Sequence, residues 1–380
     1  MKIIKYKNIL YLKIYIITIC LFFNNNIISN IFLFDTYISK KKEIKKIEKY
    51  FEFCNDNIKK IKRLKKIKNP KISIISPIYN REKYISRFIE SIYNQNFQDI
   101  EIIFVDDNSN DNGVNLIEKY KKGDKRIILI KNKKNRGTFV ARNLGVLISK
   151  AKYVIIPDPD DILSRDIIRI CYKYGEKYKY DIIRFNSYRG KGKYLNNNFC
   201  KFQKNIAIYQ PELSTYLYYG NFNLQIIDSY INNKFIKKIV YIKALNALNN
   251  FYSNMYMIYM EDSLINYLLH RTAKSLYFIK NIGYRYTKIT ESITKQLFKM
   301  PQMKLKFIFI YFKFLFEFSK NTKYEKDMLN LRLSKIFKFN IEKKLLDTKL
   351  KKDYNFYFHV INSIINCTYI SDENKNLLKK

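Results

Sequence analysis

From Lys71 onward, short apolar runs of strand length alternate with amphipathic stretches of helical spacing. The runs are "KISIISPIY" (71–79), "IEIIFV" (100–105), "RIILI" (126–130), "KYVIIP" (152–157) and "YDIIRF" (180–185), each rich in β-branched residues. Between them, Tyr84, Phe88, Ile89 and Ile92 make one helical stripe, and Val140, Leu144, Leu147 and Ile148 make another. Such alternation predicts an α/β fold with a mostly parallel central sheet and helices on both faces. In sheets of this kind ligands sit at the carboxyl ends of the strands.

Before Lys71 the pattern is different. Residues 9–23, "ILYLKIYIITICLFF", follow a basic start (Lys2, Lys5, Lys7) and contain one charge, Lys13, which is able to snorkel and lengthen the apolar span. A single-pass N-terminal signal anchor is expected over 1–36, with a cleaved signal peptide as the alternative. Lysines on both flanks leave the orientation open. A lumenal face of the secretory pathway and the cytosolic face of a membrane both fit. Residues 37–70 form a basic stem, where Ile44, Ile47, Phe51, Cys54, Ile58 and Ile61 lie at alternating steps of three and four. With under three heptads this stripe reads as one amphipathic helix rather than a coiled coil. "KNP" at 68–70 closes it as a domain boundary. Beyond Pro301, "FIFIYFKFLFEF" (307–318) is apolar nearly all round but carries Lys313 and Glu317. It predicts a buried helix within a helical C-terminal extension, 301–380.

Composition narrows the function. The chain has 72 Lys and Arg against 33 Asp and Glu, a formal net charge of +39. The lysines are spread along its length, in step with an excess of Ile, Asn, Tyr and Phe, so the charge does not single out a nucleic-acid surface, and no nucleic-acid partner is expected. Five cysteines (Cys20, Cys54, Cys171, Cys200, Cys367) and two histidines (His270, His359) give neither a disulfide framework nor zinc-ligand spacing.

Against this basic background, acid gathers at three strand ends. The first strand leads into "SPIYN" (76–80), where Pro77 stiffens the exit and Asn80 is placed to cap the next helix. The second leads into "VDDNSND" (105–111), with Asp106 and Asp107 at the tip, Ser109 in the turn and Asp111 before the next helix. The fourth opens into "IPDPDD" (156–161). Each alone also fits an ordinary cap or turn. Adjacent carboxylates repel unless a cation sits between them. Asp158 and Asp160, one residue apart, suit Mn2+ or Mg2+, which take oxygen ligands and share substrate phosphates. Asp106 or Asp107 is then suited to accept from a base N–H or a ribose hydroxyl.

Five segments in this order resemble the inverting family 2 glycosyltransferases of the GT-A fold: residues 76–80, 105–111, "NRGTFVARNLG" (135–145), 156–161 and "YMEDSLINYLL" (259–269). The resemblance runs from about 71 to 294. It implies a nucleotide-sugar-binding half, 71–186, and an acceptor-binding half, 187–300. It also implies transfer of a sugar, with inversion, from a nucleotide-diphosphate sugar, expected to be a UDP-sugar, to a hydroxyl of a glycan, lipid or protein. A catalytically inactive relative that binds nucleotide sugar or glycan is the alternative.

Carried over by residue, the resemblance puts Pro77, Tyr79 and Asn80 around the base and Asp106 and Asp107 near uracil and ribose. Gly137 would let the backbone approach the nucleotide, with Arg142 and Asn143 beneath it. Asp158 would meet the ribose or the metal, and Asp160 would ligate the metal. Of Glu261 and Asp262, the second is the expected base, although two acids at a helix start also fit its dipole. In "GYRYTKITESIT" (283–294), Arg285 is expected to meet the diphosphate and Ser292 or Thr294 to close over it. "NNKFIKKIVY" (232–241) is expected to bound the acceptor site.

Overall fold

The computed structural model describes residues 64–189, 205–210, 230–248, 255–287, 289, 296–297 and 300–318. The expected anchor, nearly all of the stem, Ser292, Thr294 and the extension past 318 lie outside the described residues.

The apolar runs form strands where the spacing places them: β1 (Ile72–Ile78), β2 (Ile100–Asp106), β3 (Ile127–Lys131), β4 (Tyr153–Ile155) and β6 (Ile182–Arg189). To these are added β5 (Ile162–Leu163), β7 (Ile206–Tyr209), β8 (Lys234–Lys237) and β9 (Ser275–Tyr286). One sheet runs in the order β3-β2-β1-β4-β8-β6-β9-β5, with β7 also on β9. β3, β2, β1 and β4 are mutually parallel, as are β6 and β9. β8 runs antiparallel to β4 and β6, and β5 and β7 run antiparallel to β9. The two predicted halves of the chain therefore interleave in a single sheet. "KFIK" was marked only as an acceptor boundary because a lysine at each end hides a four-residue strand.

Helices α1 (Glu82–Tyr93), α2 (Gly113–Gly123) and α4 (Ile167–Tyr178) contribute to one apolar cluster with Ile72, Ile74, Ile102 and Phe104 of the sheet. Helices α3 (Thr138–Ile148), α5 (Lys238–Asn246), α6 (Glu261–Thr272) and α7 (Pro301–Phe318) contribute to the other, with Ile75, Ile103 and Val105. Strand residues alternate between the two clusters, so β1 and β2 are buried along their whole length. Phe307, Ile308, Tyr311 and Leu315 make α7 the buried helix that its composition predicts. No described helix is long and apolar enough to cross a membrane.

Two local readings are corrected. On α3, Leu147 and Ile148 are exposed, while Phe139, Val140, Arg142, Asn143, Gly145 and Val146 are buried. A Cβ at Gly145 would stand 2.3 Å from Ile75 Cγ2, so the helix packs closely on β1 along the Gly145 side, which keeps Val140 and Leu144 at the core and leaves only Leu147 and Ile148 of the expected stripe outside. Asn80 does not cap α1. It adopts φ +52° and accepts the Asn110 N–H on its Oδ1, while Asp111 takes the N–H of both Glu82 and Gly113. One acid thus serves the starts of α1 and α2, and the Glu82 carboxylate in turn accepts the Asn112 N–H.

The chain runs outward from β1 through β2 to β3, then crosses back through α3 to β4 on the other side of β1. This reversal opens a crevice between the β1 and β4 tips, where a ligand site is expected.

Candidate active site

A cleft occupies that crevice, lined by the ends of β1 and β4, the start of α3, the loop before β8 and the start of α6. Ser76 donates its hydroxyl to the Pro157 carbonyl at 3.0 Å and ties the two strand tips together.

On the β2 side, Asp107 works as a latch. Its carboxylate accepts the Asn132 amide at 2.8 Å and the N–H groups of Arg136 and Gly137 at 2.9 and 2.8 Å. These bonds fix the turn that enters α3. Gly137 has φ +87°, and an added Cβ would stand 2.9 Å from the Met257 carbonyl oxygen. The chain's own segment leading to α6 thus already requires a glycine at this position.

The Pro157–Asp161 turn is held from β9. Tyr284 accepts the Asp158 N–H at 3.1 Å and donates its hydroxyl to Asp161 at 2.6 Å, and Asp161 also accepts the Thr287 N–H at 2.7 Å. Burial, with Asp160 and Asp158 nearby, holds the Asp161 carboxyl well above its ordinary range. Asp161 is thus a buried strut beneath the turn. Asp158 and Asp160 face the cleft.

Glu261 and Asp262 start α6 directly after Met260, which adopts the left-handed φ +65°. For an unbranched but bulky residue that conformation stores strain, and it aims the two acids into the cleft. Between them and Asp158 lies Arg142. Its Nη2 is 2.7 Å from Asp158, its Nη1 is 3.2 Å from Glu261, and Nη1 also pairs with Asp262. Burial alone would lower the Arg142 pKa, but Asp262, Asp158 and Glu261 outweigh it and hold the guanidinium firmly charged. Sequence spacing gave no sign of this three-way bridge.

Five carboxylates (Asp107, Asp158, Asp160, Glu261, Asp262) and two guanidiniums (Arg81, Arg142) line the cleft among the described residues. The excess of acid raises pKa values. Burial and then Asp158 push Asp160 up to about 6. Burial and then Asp262 push Glu261 up to about 7, against the pull of Arg142. Asp262 is raised chiefly by burial, with Arg142 opposing. A cation near Asp160 would relieve this repulsion, so the donor set fits a hard divalent ion that draws most of its ligands from phosphate. No described cluster of three or more acids, histidines or cysteines forms a complete metal cage.

The raised Glu261 sets a pH dependence. Between the ordinary carboxylate range and about pH 7, the folded chain binds more protons at this group than the unfolded chain does. Stability from this source is therefore full at low pH and lost as pH rises through 7. In thermal melts from pH 5 to 7.5, Glu261→Gln is expected to lose less stability than wild type. Parallel slopes for the two proteins would contradict the assignment.

Of the sequence-predicted residues, Pro77, Tyr79, Asp107, Arg142, Asp158, Asp160, Glu261 and Asp262 come together on the cleft. Asn80, Asp106, Gly137 and Arg285 do not line it. Asp106 is buried and accepts the Ser109 N–H. Arg285 stands between Tyr284 and Tyr286 on β9, opposite Ile162 of β5. Because strand side chains alternate, Tyr284 and Tyr286 point toward the turn and cleft and Arg285 points away. The sequence singles out neither Arg81 nor Tyr230, and marks Asn232 and Tyr286 only as members of the segments 232–241 and 283–294. Asn232 donates to Asp158 at 3.2 Å, and its place in "NNKFIKKIVY" was the available signal.

Residues 73–243 match the family described as "Glycosyl transferase family 2". Among curated proteins, glycosyltransferase GlyG of Streptococcus pneumoniae is 34% identical over 117 residues, which is 31% of this chain and 39% of that protein. The poly(ribitol-phosphate) beta-N-acetylglucosaminyltransferase TarP of Staphylococcus aureus is 40% identical over 119 residues, 30% of this chain and 35% of that protein. The chain thus spans under two fifths of the length of these relatives. Among solved structures, S. aureus TarS 1-349 in complex with UDP-GlcNAc superposes with a TM-score of 0.62 at 19% identity, covering 81% of this chain and 83% of that one. The same fragment with UDP gives 0.60. The likeness extends the shared fold well beyond the aligned sequence.

Proposed function

Residues 73–243 belong to the family 2 glycosyl transferases, and from that premise we propose that the protein moves a sugar from a nucleotide-diphosphate sugar to an acceptor hydroxyl in one inverting displacement. A UDP-sugar is the donor class favoured, since the similar fold of TarS holds UDP-GlcNAc in one structure and UDP in another. The observation that carries the reading is the opposition, across Arg142, of Asp158 and Asp160 at the β4 tip to Glu261 and Asp262 at the start of α6.

Tyr79 and Pro77 flank the base end of the cleft, and the Asp107 latch keeps that wall in place. Asp160, with Asp158, would hold a Mn2+ or Mg2+ ion. Bound there, the ion would neutralise charge on the departing diphosphate. Asp262 takes the proton of the acceptor hydroxyl as that oxygen bonds to the anomeric carbon, and the carbon–oxygen bond to the diphosphate breaks with its electron pair leaving on phosphate. Asp262 keeps 21% of its side-chain exposure against 12% for Glu261, so it is the more open of the two to an acceptor. The acceptor, a glycan, lipid or protein hydroxyl, would enter from the side of Asn232 and Tyr286.

The test is a panel of UDP- and GDP-sugars with Mn2+ present, reading released nucleoside diphosphate and the anomeric configuration of the product. Turnover of at least one donor with inversion is expected. A wild-type protein that neither binds nor consumes any of them overturns the proposal.

A further inference from the structure

Arg81 follows directly on "SPIYN" and precedes α1, and it lines the cleft. Its Nη1 donates to the carbonyls of Tyr79 and Asn80 at 3.4 and 3.0 Å, which anchors the side chain over the β1 tip. Its Nε stands 3.6 Å from the Asp160 carboxylate, while Arg142 meets Asp158 at 2.7 Å. The Arg81–Asp160 pair is therefore the looser of the two. Arg87, further along α1, holds the other end of the turn: its Nη2 donates to the Asp160 carbonyl and to the Thr287 hydroxyl, both at 3.0 Å. Asp160 thus has a fixed backbone and a lightly held carboxylate.

An incoming diphosphate needs cationic donors, and the cleft has few. Arg142 is committed to three carboxylates. The start of α1, a common anion site, is already filled: the Glu82 N–H goes to Asp111 at 2.8 Å and the Tyr84 N–H to the Arg81 carbonyl at 2.9 Å. Of the two cations among the described residues that line the cleft, Arg81 is the more exposed and holds its carboxylate the more loosely, whereas the unpartnered Nε of Arg142 is buried.

We propose that Arg81 is an exchangeable counter-ion, paired with Asp160 in the ligand-free protein and transferred to the donor diphosphate when a divalent cation takes the Asp160 carboxylate. This rests on the nucleotide-sugar reading of the cleft. One guanidinium then compensates two different charges in turn. The motif residues around it leave that role unassigned, because Arg81 lies just outside them.

The exchange predicts opposite effects from one substitution. Arg81→Gln is expected to weaken UDP binding in the presence of Mn2+ about 10- to 100-fold, the range for losing hydrogen bonds to a charged group, and to change uridine binding by less than about 2-fold. Because the competing cation is gone from Asp160, Mn2+ alone is expected to bind the variant more tightly than wild type, read by electron paramagnetic resonance of free Mn2+. Arg81→Lys, which keeps the charge, is expected to fall between the two in both measurements, and thermal melts identify any variant that fails to fold. Equal losses for uridine and UDP overturn the proposal, as does Mn2+ binding that is unchanged or weaker in a folded Arg81→Gln. Wild-type protein that binds UDP while Arg81→Gln matches it also overturns the proposal, yet leaves the donor reading intact. Wild-type protein that binds neither UDP nor uridine sinks both.

Discussion

Replacing Asp262 with asparagine is expected to slow transfer by about 100- to 10,000-fold, the contribution typical of a positioned general base, with donor affinity nearly unchanged. The substitution keeps the shape of the side chain and removes its capacity to accept a proton at neutral pH. Arg142 still has Asp158 and Glu261 as partners, so the start of α6 keeps its place. The result separates two adjacent acids that both pair with the same guanidinium nitrogen. Glu261→Gln, with its more enclosed side chain, is expected to cost far less turnover than Asp262→Asn. If the glutamate variant is the slower one, the base has been assigned to the wrong residue. Single-turnover measurement with saturating donor isolates the chemical step from donor binding.

The second large effect is on stability. Arg142→Gln removes the guanidinium that pairs with three carboxylates at the floor of the cleft, and breaking a buried pair in this way costs about 3–5 kcal/mol. Only 6% of the Arg142 side chain is exposed, so water does little to replace it. The deficit carries a pH signature. Without Arg142, which pulls them down, the carboxyls of Glu261 and Asp262 rise further. The folded variant then binds more protons than the unfolded chain over a wider range, and its stability falls more steeply as pH rises. Urea unfolding is expected to show a smaller gap between variant and wild type at pH 5.5 than at pH 8. A gap of the same size at both values would mean that lost packing, not stranded charge, is responsible. Adding Asp262→Asn to the Arg142→Gln chain is expected to recover part of the loss, since the two residues are in contact and their effects do not add.

These expectations show where sequence was a sufficient guide and where it was not. The β1 and β2 runs were legible because both faces of these strands are covered, which puts apolar residues on each face and leaves only an occasional polar position. Asp158, Asp160, Glu261 and Asp262 were legible because acids crowded at strand and helix ends stand out in so basic a chain. The register of "GYRY" was not legible: Tyr284 and Tyr286 point toward the turn and cleft, and Arg285 between them points away. Gly137 meets a demand that spacing does not show, since the backbone of Met257, 120 positions later, packs against it.

Local sequence was enough to set the alternation of strands and helices, the carboxyl ends of the strands as the place to look for a ligand, and the acids gathered there. These follow from local periodicity and from residue chemistry within a few positions. The folded chain was needed to show that the crevice opens between the β1 and β4 tips, that Arg142 joins Asp158 to residues 119 and 120 positions further along, that Asp161 supports the turn from below, and that Arg81 shares Asp160. Such pairings depend on which side chains meet after the chain has crossed the sheet. An arginine has the same local pattern whether its partner is water or a buried carboxylate.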